Sequence, residues 1–489
     1  MQPALIPLRS LVTLLYMTEN ETPDYKPVRD RLEQDGAPDL LIRQFERAFA
    51  ALHDASPATI SGREIDSIDH LPTLNELQRH AAAGEQAMGQ AVMIKLNGGL
   101  GTGMGLDRAK SLLKVKDDLS FLDIIARQIL HIREAQQVHT PLIFMNSFST
   151  RDDTLSALQA YPSLAADQGT IPLDFLQHRV PKLVAATGEP AHSDDQPELA
   201  WCPPGHGDLY TCLQTTGLLE QLLEAGFTYA FVSNADNLGA VLDPAILGYL
   251  AEQEIPFIME ATRRTTADRK GGHLAQAKDG HYLLRESAQC PADEKDEFQN
   301  IDRYRFFNTN NLWLNLRLLQ DQLRELDGVL PLPVLVNRKT LDPRDPDSTP
   351  VVQLETAMGS ALSVIPGAQA IDVPRTRFAP VKTTDDLLAL RSDCFHINEA
   401  SHIVANPERR LPAIDIQLDP KYYKLIDSFE ERIPSPPSLV NCTSLRVEGD
   451  IRFGPKITCR DEVTLIAHGS TPVKLSAESV LEGRRELAE

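Results

Sequence analysis

The stretch Lys95–Val115 reads KLNGGLGTGMGLDRAKSLLKV and follows directly on the apolar run AVMI at residues 91–94. It places five glycines between Gly98 and Gly105, and Lys110 comes shortly afterwards. Glycines let a backbone approach a ligand closely and turn its N–H groups inward. A lysine nearby adds a point charge suited to phosphate. The stretch therefore predicts a phosphate-binding loop at the end of a buried strand, against the alternative of a flexible surface turn.

Two familiar glycine motifs do not match this loop. The P-loop requires glycine immediately before its lysine, but Ala109 stands before Lys110. The dinucleotide fingerprint G-x-G-x-x-G fails from each of its three candidate starts, because its last glycine is replaced by Met104, Leu106 or Arg108. The loop is thus predicted to bind its ligand in another way.

Length and composition bound the remaining possibilities. A chain of 489 residues is long enough for two or three domains. The net charge of -21 repels nucleic acid and anionic membranes, so neither is an expected partner. The first twenty residues lack the features of a targeting peptide, so a cytoplasmic location is expected. The six cysteines form no C-x-x-C pair and are expected to be reduced structural thiols.

Strand-like and helix-like patterns alternate between residues 90 and 390. Helical patterns also dominate residues 1–85, where Leu41, Phe45 and Phe49 recur at helical spacing. The apolar runs that predict strands lie at residues 91–94, 141–145, 229–232, 256–259 and 311–316. The helical patterns between them lie at residues 120–135, 217–227 and 244–255. This alternation predicts an α/β fold with a mostly parallel sheet, whose ligands bind beyond the carboxyl ends of the strands.

The C-terminal end has a different period. From Leu445 onward, apolar pairs recur every six residues, as in Leu445/Val447 and Val463/Leu465. A six-residue period is typical of a parallel β-helix, and an antiparallel meander is the alternative. A short β-helix ends in an unpaired strand, so self-association through this region is expected.

Polar clusters follow several of the predicted strands. His206 is held between two glycines in WCPPGHGDLY, and Asn234 and Asp236 follow a strand in FVSNADNLG. A carboxylate there is well placed to hold Mg²⁺ together with substrate phosphates, and a helix cap is the alternative. RKGGH at 269–273 and FNTNNLW at 307–313 supply backbone and amides that suit a hydroxyl-rich ligand. Lys382, in RFAPVKTTDD, would read as a solvated lysine if it stood alone.

Together these motifs resemble the eukaryotic-type UTP–glucose-1-phosphate uridylyltransferases, the UDP-glucose pyrophosphorylase family. The resemblance covers about residues 90–395 and is carried, in order, by KLNGGLGTGMG…AKS, QHRVPK, PPGHGDLY, VSNADNLGA, RKGGHLA, RESAQCP, FFNTNNLW, QLETAMGSA and RFAPVKTTDDLLALRSD. It implies a helical N-terminal segment at 1–85, a Rossmann-like nucleotidyltransferase domain at 86–395 and a C-terminal β-helix domain at 396–489.

The resemblance also implies a role for individual residues. The catalytic cations would be Lys110 and Lys382, with His206 at the sugar phosphate and Asp236 as the Mg²⁺ ligand. The nucleotide-binding residues would be Leu96, Asn97, Gly98, Gly99, Gln177, Gly205, Asn234 and Asp236, with Gln177 and Gly205 reading uracil. The glucose would be surrounded by His206, Lys270, Gly272, Glu286 and Asn310.

The implied reaction is Mg²⁺-dependent transfer of a uridylyl group. UTP and glucose 1-phosphate would give UDP-glucose and pyrophosphate. The nearer alternative is a broad-specificity UDP-sugar or UDP-N-acetylhexosamine pyrophosphorylase, whose members tend to carry alanine where this chain has Asn97. The other alternative is a non-catalytic nucleotide sensor, which would be expected to lack Lys110, Asp236 or Lys382.

Overall fold

The computed structural model describes residues 24–53, 59–469 and 471–487. The expectation of no targeting peptide concerns the first twenty residues, which lie outside this part of the chain. The helical pattern is predicted for residues 1–85, of which residues 1–23 and 54–58 also lie outside the described part of the chain.

The helices of the described residues are numbered α1 to α15 along the chain. They are Lys26–Gln34, Asp39–His53, Leu74–Leu77, Ala81–Ala87, Phe121–Gln136, Arg151–Leu158, Pro162–Ala166, Leu209–Thr215, Leu218–Glu224, Pro244–Glu252, Lys295–Phe298, Leu316–Glu325, Thr384–Arg391, Pro420–Tyr423 and Ile426–Arg432. The helical patterns at 120–135, 217–227 and 244–255 are therefore confirmed as α5, α9 and α10. Ser120 begins α5 with a capping box to Asp123, and Asp243 caps α10 ahead of its first-turn proline.

The strands are numbered β1 to β25 in the same way. Through residue 315 they are Ile65–Asp66, Ala91–Asn97, Lys114–Lys116, Leu119–Ser120, Leu142–Asn146, Asp174–Leu176, Val180–Pro181, Leu183–Val184, Trp201–Cys202, Tyr229–Asn234, Phe257–Arg263, His273–Ala277, Tyr282–Arg285 and Phe306–Asn315. Beyond it they are Val334–Thr340, Pro350–Thr356, Gln369–Asp372, Phe395–Ile397, Ile403–Ala405, Asp415–Leu418, Cys442–Glu448, Ile451–Arg452, Thr458–Ala467, Val473–Lys474 and Val480–Leu487. Each apolar run that predicted a strand falls in or overlaps β2, β5, β10, β11 or β14.

The central sheet of the described residues is mixed, with the order β1-β12-β14-β10-β2-β5-β6 and with β11, β13 and β17 attached. The strands β10, β2, β5 and β6 run parallel. However, β14 pairs antiparallel with both β10 and β11, and the hairpin β12–β13 extends the same side. The prediction of a mostly parallel sheet is therefore correct for β10-β2-β5-β6 and for the parallel pair β11–β17, and wrong for the pairs that β14 and β12 make. An apolar run such as NLWLNL shows that a strand is buried but carries no information on its direction.

Both faces of the sheet are covered, which explains its continuous apolar runs. In β2, Ala91 and Met93 pack into one core, whereas Val92 and Ile94 pack into the other. Successive side chains of a strand point to opposite faces, so a strand buried on both sides needs apolar residues at every position. The parallel half of the sheet thus has a rigid, two-sided support directly ahead of the glycine loop.

The N-terminal helices α1 and α2 form a separate core with short strands beside the central sheet. Val28 and Leu32 of α1 and Phe45 and Phe49 of α2 pack there with Val180 of β7. The apolar face predicted for α2 is confirmed, because Leu41, Phe45 and Phe49 are all buried.

The C-terminal strands β20, β21, β23 and β25 form a parallel sheet in that order, and β22 pairs parallel with β24. The antiparallel meander is therefore wrong. Leu445 lies opposite Val463, three hexads further along the chain, so the six-residue period matches the stacking. Tyr423 and Phe429 share one core with Phe121 and Phe144 of the central region, so this end of the chain packs directly against the rest.

All six cysteines have free thiols and are buried. None of the helices formed by the described residues combines the length and the apolar character that a bilayer crossing requires.

Candidate active site

A cavity of about 320 Å³ opens where the parallel strands β2 and β10 end. Its lining comprises Leu96, Asn97, Gly98, Gly99, Lys110, Ser111, Gln177, Pro203, Gly205, His206, Asn234, Ala235 and Asp236. These residues come from five separate stretches of sequence, at residues 96–99, 110–111, 177, 203–206 and 234–236. They meet because the carboxyl ends of parallel strands share one edge of the sheet.

The glycine loop forms one wall of this cavity. A Cβ atom on Gly98 would lie 2.7 Å from Gln177 Nε2, so only glycine leaves room for the glutamine amide there. Gly101 and Gly105 adopt left-handed backbone angles, with φ of 69° and 78°, and turn the chain back toward Lys110. The Lys110 N–H then donates to the Gly99 carbonyl oxygen at 3.1 Å. The loop is therefore a fixed wall closed by its own hydrogen bond.

Lys110 and Asp236 face each other inside the cavity. Lys110 Nζ lies 2.7 Å from Asp236 Oδ2, and both side chains are mostly buried. Asp236 is the single carboxylate among the residues that line the cavity. One carboxylate beside a phosphate-binding loop is a donor set that suits Mg²⁺, which commonly takes one or two carboxylates together with substrate phosphates.

Ser111 is a cavity residue that the sequence interpretation missed as a site residue. Its side-chain oxygen is buried and has no hydrogen-bond partner among the described residues. A buried hydroxyl without a partner is costly unless something else satisfies it. Its place directly after Lys110 in AKS was the available signal.

His206 lies on the far wall of the cavity, in a short turn after β9. Its Nδ1 accepts a hydrogen bond from the Met358 N–H at 3.0 Å, so the remaining nitrogen, Nε2, carries the proton of the neutral ring. Burial lowers the pKa of His206 to about 4. The histidine is therefore a neutral N–H donor at physiological pH.

Gln177 follows β6 and is held by its neighbours on both sides. Its own N–H donates to the Asn146 carbonyl oxygen at 2.8 Å. His178, Asp208 and Cys212 form a buried cluster beside it, with one ligand-type atom of each within 4.8 Å of the others. These residue types bind metals, but here they hydrogen-bond to one another.

Asn97 lines the cavity, but its side chain turns into the fold. Its Nδ2 donates to Asn146 Oδ1 and to Thr154 Oγ1, both at 2.8 Å. The amide therefore ties the end of β2 to β5 and α6. Its Nδ2 atom is therefore used within the fold and is not free to bind a ligand.

Of the five residues predicted to surround glucose, His206 lines this cavity, whereas Lys270, Gly272, Glu286 and Asn310 do not. Gly359, next to the Met358 that bonds His206, approaches the Asn308 amide. Asn308 Nδ2 donates to Asn310 Oδ1 at 2.8 Å, at a bulge in β14 that gives Asn310 a φ of 58°. Bulges commonly re-aim a side chain. The sheet thus presents Asn310 on the side of the cavity where His206 lies.

Gly272 and Glu286 form a second contact in this neighbouring region. A Cβ atom on Gly272 would lie 2.6 Å from Glu286 Oε2, and burial raises the pKa of Glu286. Lys270 is exposed and is not brought to the cavity.

Lys382 is also exposed and outside the cavity lining. Its segment is nevertheless attached to the turn that carries Asp236. The Val381 N–H donates to the Asp236 carbonyl oxygen at 3.3 Å. Asn237 accepts from the Ala379 N–H and donates to the Arg377 carbonyl oxygen, each at 3.0 Å.

A family model described as UTP–glucose-1-phosphate uridylyltransferase matches residues 42–460. The chain belongs to this family. The UTP–glucose-1-phosphate uridylyltransferase of Solanum tuberosum is 37% identical over 413 residues, 84% of each chain. The crystal structure of UDP-glucose phosphorylase from Trypanosoma brucei superposes with a TM-score of 0.85 at 41% identity, covering 95% of this chain and 99% of the other. A variant of the Leishmania major UDP-glucose pyrophosphorylase, solved in complex with UDP-glucose, gives a TM-score of 0.88 at 39% identity, covering 94% and 99%.

Membership of the uridylyltransferase family confirms the resemblance drawn from the motifs. In this uridylyltransferase, ten of the residues singled out from the sequence line one cavity. They are Leu96, Asn97, Gly98, Gly99, Lys110, Gln177, Gly205, His206, Asn234 and Asp236. The other five, Lys270, Gly272, Glu286, Asn310 and Lys382, are not part of its lining, and the roles of all fifteen residues stay predictions.

Proposed function

We propose that this chain is an enzyme that forms UDP-glucose and pyrophosphate from UTP and glucose 1-phosphate. The observation that carries the proposal is the single cavity at the ends of β2 and β10. It combines a glycine wall, a lysine, a carboxylate and a neutral histidine donor. The uridylyltransferase relatives, one of them solved with UDP-glucose, support the substrate assignment.

The nucleotide would lie along the glycine wall. Gln177 and Gly205 both line the cavity, and the Gln177 amide and the Gly205 backbone would pair with the uracil edge. The backbone at Leu96, Gly98 and Gly99 would contact the nucleotide closely, since a side chain at Gly98 would collide with Gln177. Asn234, at the end of β10, would add an amide contact.

The reacting phosphates would lie beside Lys110, Ser111 and Asp236. An oxygen of glucose 1-phosphate attacks the α-phosphorus of UTP, and pyrophosphate leaves. Lys110 and Lys382 would stabilise the negative charge that spreads over the phosphate oxygens, and the Ser111 hydroxyl would find a partner there. His206 would donate from Nε2 to the sugar phosphate. Because the attacking oxygen is already anionic, the site needs no strong general base.

We propose Mg²⁺ as the cofactor, with Asp236 as its protein ligand. Its chemistry when bound is to neutralise phosphate charge and to orient the two substrates. Asp236 fits this role because it is the carboxylate of the cavity lining.

The sugar side would be formed by His206, Lys270, Gly272, Glu286 and Asn310. Asn310 and Glu286 offer an amide and a carboxyl group next to tightly approaching backbone, which suits sugar hydroxyls. No specific observation favours the broad-specificity alternative.

We also propose a division of the chain into three parts. Residues 1–85 would form the N-terminal segment, residues 86–395 a Rossmann-like catalytic domain, and residues 396–489 a short β-helix. The enzyme is proposed to be cytoplasmic. The parallel pairing of β21 with β23, in which Leu445 lies opposite Val463, supports the β-helix. Strand β25 ends its sheet and carries the exposed Val480, which supports self-association there. Sedimentation of the purified protein tests this self-association. A protein that stays monomeric at all concentrations would contradict it.

The function is tested by measuring pyrophosphate release across nucleotides and sugar 1-phosphates. We expect UTP to be preferred to CTP and ATP by at least about 10²-fold, because a site built for specific hydrogen bonds leaves buried groups unpaired with the wrong base. Glucose 1-phosphate should be preferred to galactose 1-phosphate and N-acetylglucosamine 1-phosphate. Comparable rates with UTP and ATP would contradict the assignment.

A further inference from the structure

The segment Gln177–Arg179 is held at each of its three residues. The Gln177 N–H donates to the Asn146 carbonyl oxygen at 2.8 Å. The Arg179 guanidinium pairs with Asp35, with Nε at 2.9 Å from Oδ2. His178, between them, binds Asp208. The predicted uracil reader therefore stands on a segment that the fold fixes in place.

Asp208 makes the central attachment. Its Oδ2 accepts the His178 N–H at 2.7 Å, and its Oδ1 lies 2.8 Å from His178 Nδ1. The Cys212 thiol donates to Oδ2 at 3.1 Å. Asp208 and Cys212 are fully buried, so these bonds form in a region of low dielectric. Both carboxylate oxygens are thus occupied by donors, two of which belong to the residue directly after Gln177.

The turn that carries Asp208 also carries Gly205 and His206. This turn is anchored without any contribution from the Asp208 side chain. The Thr356 N–H donates to the Pro204 carbonyl oxygen at 2.9 Å, and the Met358 N–H donates to His206 Nδ1 at 3.0 Å. Removing the Asp208 carboxylate should therefore loosen the middle of the Gln177 segment, which keeps its attachments to Asn146 and Asp35, while His206 keeps its place.

We propose that Asp208 is a positioning residue that sets base selectivity. It fixes the spacing between the Gln177 amide and the Gly205 backbone, the two groups assigned to the uracil edge. The inference rests on the proposed uridylyl transfer and names the residue that makes its nucleotide site selective. Asp208 touches no substrate itself, because its carboxylate is wholly used by His178 and Cys212.

The test compares Asp208→Ala with wild type, using UTP and CTP as nucleotides and glucose 1-phosphate as the sugar. We expect KM for UTP to rise about 10- to 100-fold and the preference for UTP over CTP to fall at least about 10-fold, because a displacement of about 1 Å in a positioned group has effects of this size. KM for glucose 1-phosphate should stay within about threefold, since His206 retains its own anchor.

Asp208→Asn is the conservative variant and should restore the preference for UTP. An asparagine can accept the His178 N–H with its oxygen and donate from its amide to His178 Nδ1. The neutral imidazole can then carry its proton on Nε2, where Thr215 Oγ1 lies at 3.1 Å. Cys212→Ala is the matched control, because it removes a buried thiol that contacts both Asp208 and His178 but leaves the two hydrogen bonds between His178 and Asp208 in place. It should keep the wild-type preference.

Three results would overturn the proposal. The first is an Asp208→Ala enzyme that loses activity with UTP and CTP in equal proportion. The second is stoichiometric zinc in the purified protein that is lost in Cys212→Ala, which would make the cluster a metal site. If Asp208→Ala does not fold, Asp208→Leu, which keeps the side-chain volume but cannot accept either His178 bond, decides, and an unchanged UTP preference there is the third. A wild-type protein that makes no UDP-glucose would instead refute the proposed function.

Discussion

Lys110 Nζ lies 2.7 Å from Asp236 Oδ2, so a proposed phosphate-binding cation and a proposed metal-binding carboxylate neutralise each other. A partly buried ion pair of this kind prevents two unpaired charges from facing each other in the cavity. In the proposed complex with a nucleotide and Mg²⁺, Lys110 would pair with phosphate and Asp236 with the metal ion. The pair therefore keeps both side chains in the cavity and aligned before the substrates arrive.

Asp236→Asn should lower kcat by about 10²- to 10³-fold, the loss typical of one preorganised electrostatic contact. The amide keeps the shape of the side chain but no longer supplies a negative oxygen to Mg²⁺. The loss of kcat is measured as turnover at increasing Mg²⁺ concentrations. The loss of Mg²⁺ affinity is measured by calorimetry in the presence of UTP. Asp195→Asn, an exposed residue outside the cavity lining, is the control. Wild-type Mg²⁺ affinity in Asp236→Asn would remove Asp236 as the ligand.

Gly98→Ala should weaken UTP binding by at least about 10-fold, since misplacing one positioned group has effects of this order. Its methyl group would lie 2.7 Å from Gln177 Nε2 and would push the glutamine amide away. Gly103→Ala is a matched control in the same loop, because its Cβ would meet nothing within 4 Å. Calorimetric titration with UTP distinguishes the two variants. Equal affinities would mean that the Gly98–Gln177 contact has no part in nucleotide binding.

The sequence was informative where a residue's neighbours along the chain determine its place. The polar residues after β2 and β10 could be predicted to meet, because parallel strands bring their carboxyl ends together. The direction of β14 could not be predicted, since its apolar run is the same in either orientation. Likewise, nothing in NTNNLW alone indicates that a bulge against Glu260 and Ala261 reorients Asn310. The inward turn of the Asn97 amide depends on Asn146 and Thr154, which are far away in sequence.

The stability of the protein should fall as pH decreases from about 6.5, and part of this fall should come from His206. Burial lowers its folded-state pKa to about 4, whereas the unfolded chain protonates near the usual value of about 6.5. Between these two pH values the unfolded state binds more protons than the folded state. The contribution of neutral His206 to stability is therefore fully present above pH 6.5 and is lost as the pH falls toward 4. His273, with a pKa lowered to about 3 mainly by burial, acts in the same direction.

Urea unfolding of wild type and His206→Gln at pH 7, 6 and 5 measures this contribution. Glutamine can still accept the Met358 N–H but does not titrate. The wild type should therefore lose more stability than the variant, by up to about 1.4 kcal/mol per pH unit. Parallel pH dependences in the two proteins would show that the His206 pKa is not lowered in the folded state.

Lys382 is the residue whose assigned role and observed place differ most. Its side chain is exposed and does not line the cavity. Yet Val381 bonds the Asp236 backbone, and Asn237 holds both Ala379 and Arg377, so the segment moves only with the turn that carries Asp236. The prediction for Lys382 is that its long side chain reaches the phosphates when the substrates bind. An exposed ammonium also binds phosphate without first breaking an internal ion pair.

Lys382→Met keeps the aliphatic length and removes the charge. We expect kcat to fall by about 10²- to 10³-fold, as when one preorganised charge is lost from a phosphoryl-transfer site. Tm should hardly change, because exposed substitutions alter stability by only about 0.5 kcal/mol. Lys382→Arg should restore only part of the rate, because a planar guanidinium does not reproduce a compact ammonium. Lys456→Met, another exposed lysine, is the control and should match wild type in both quantities. Near-wild-type turnover of Lys382→Met would show that the phosphates are neutralised without it, leaving Lys110 as the proposed catalytic lysine of the cavity.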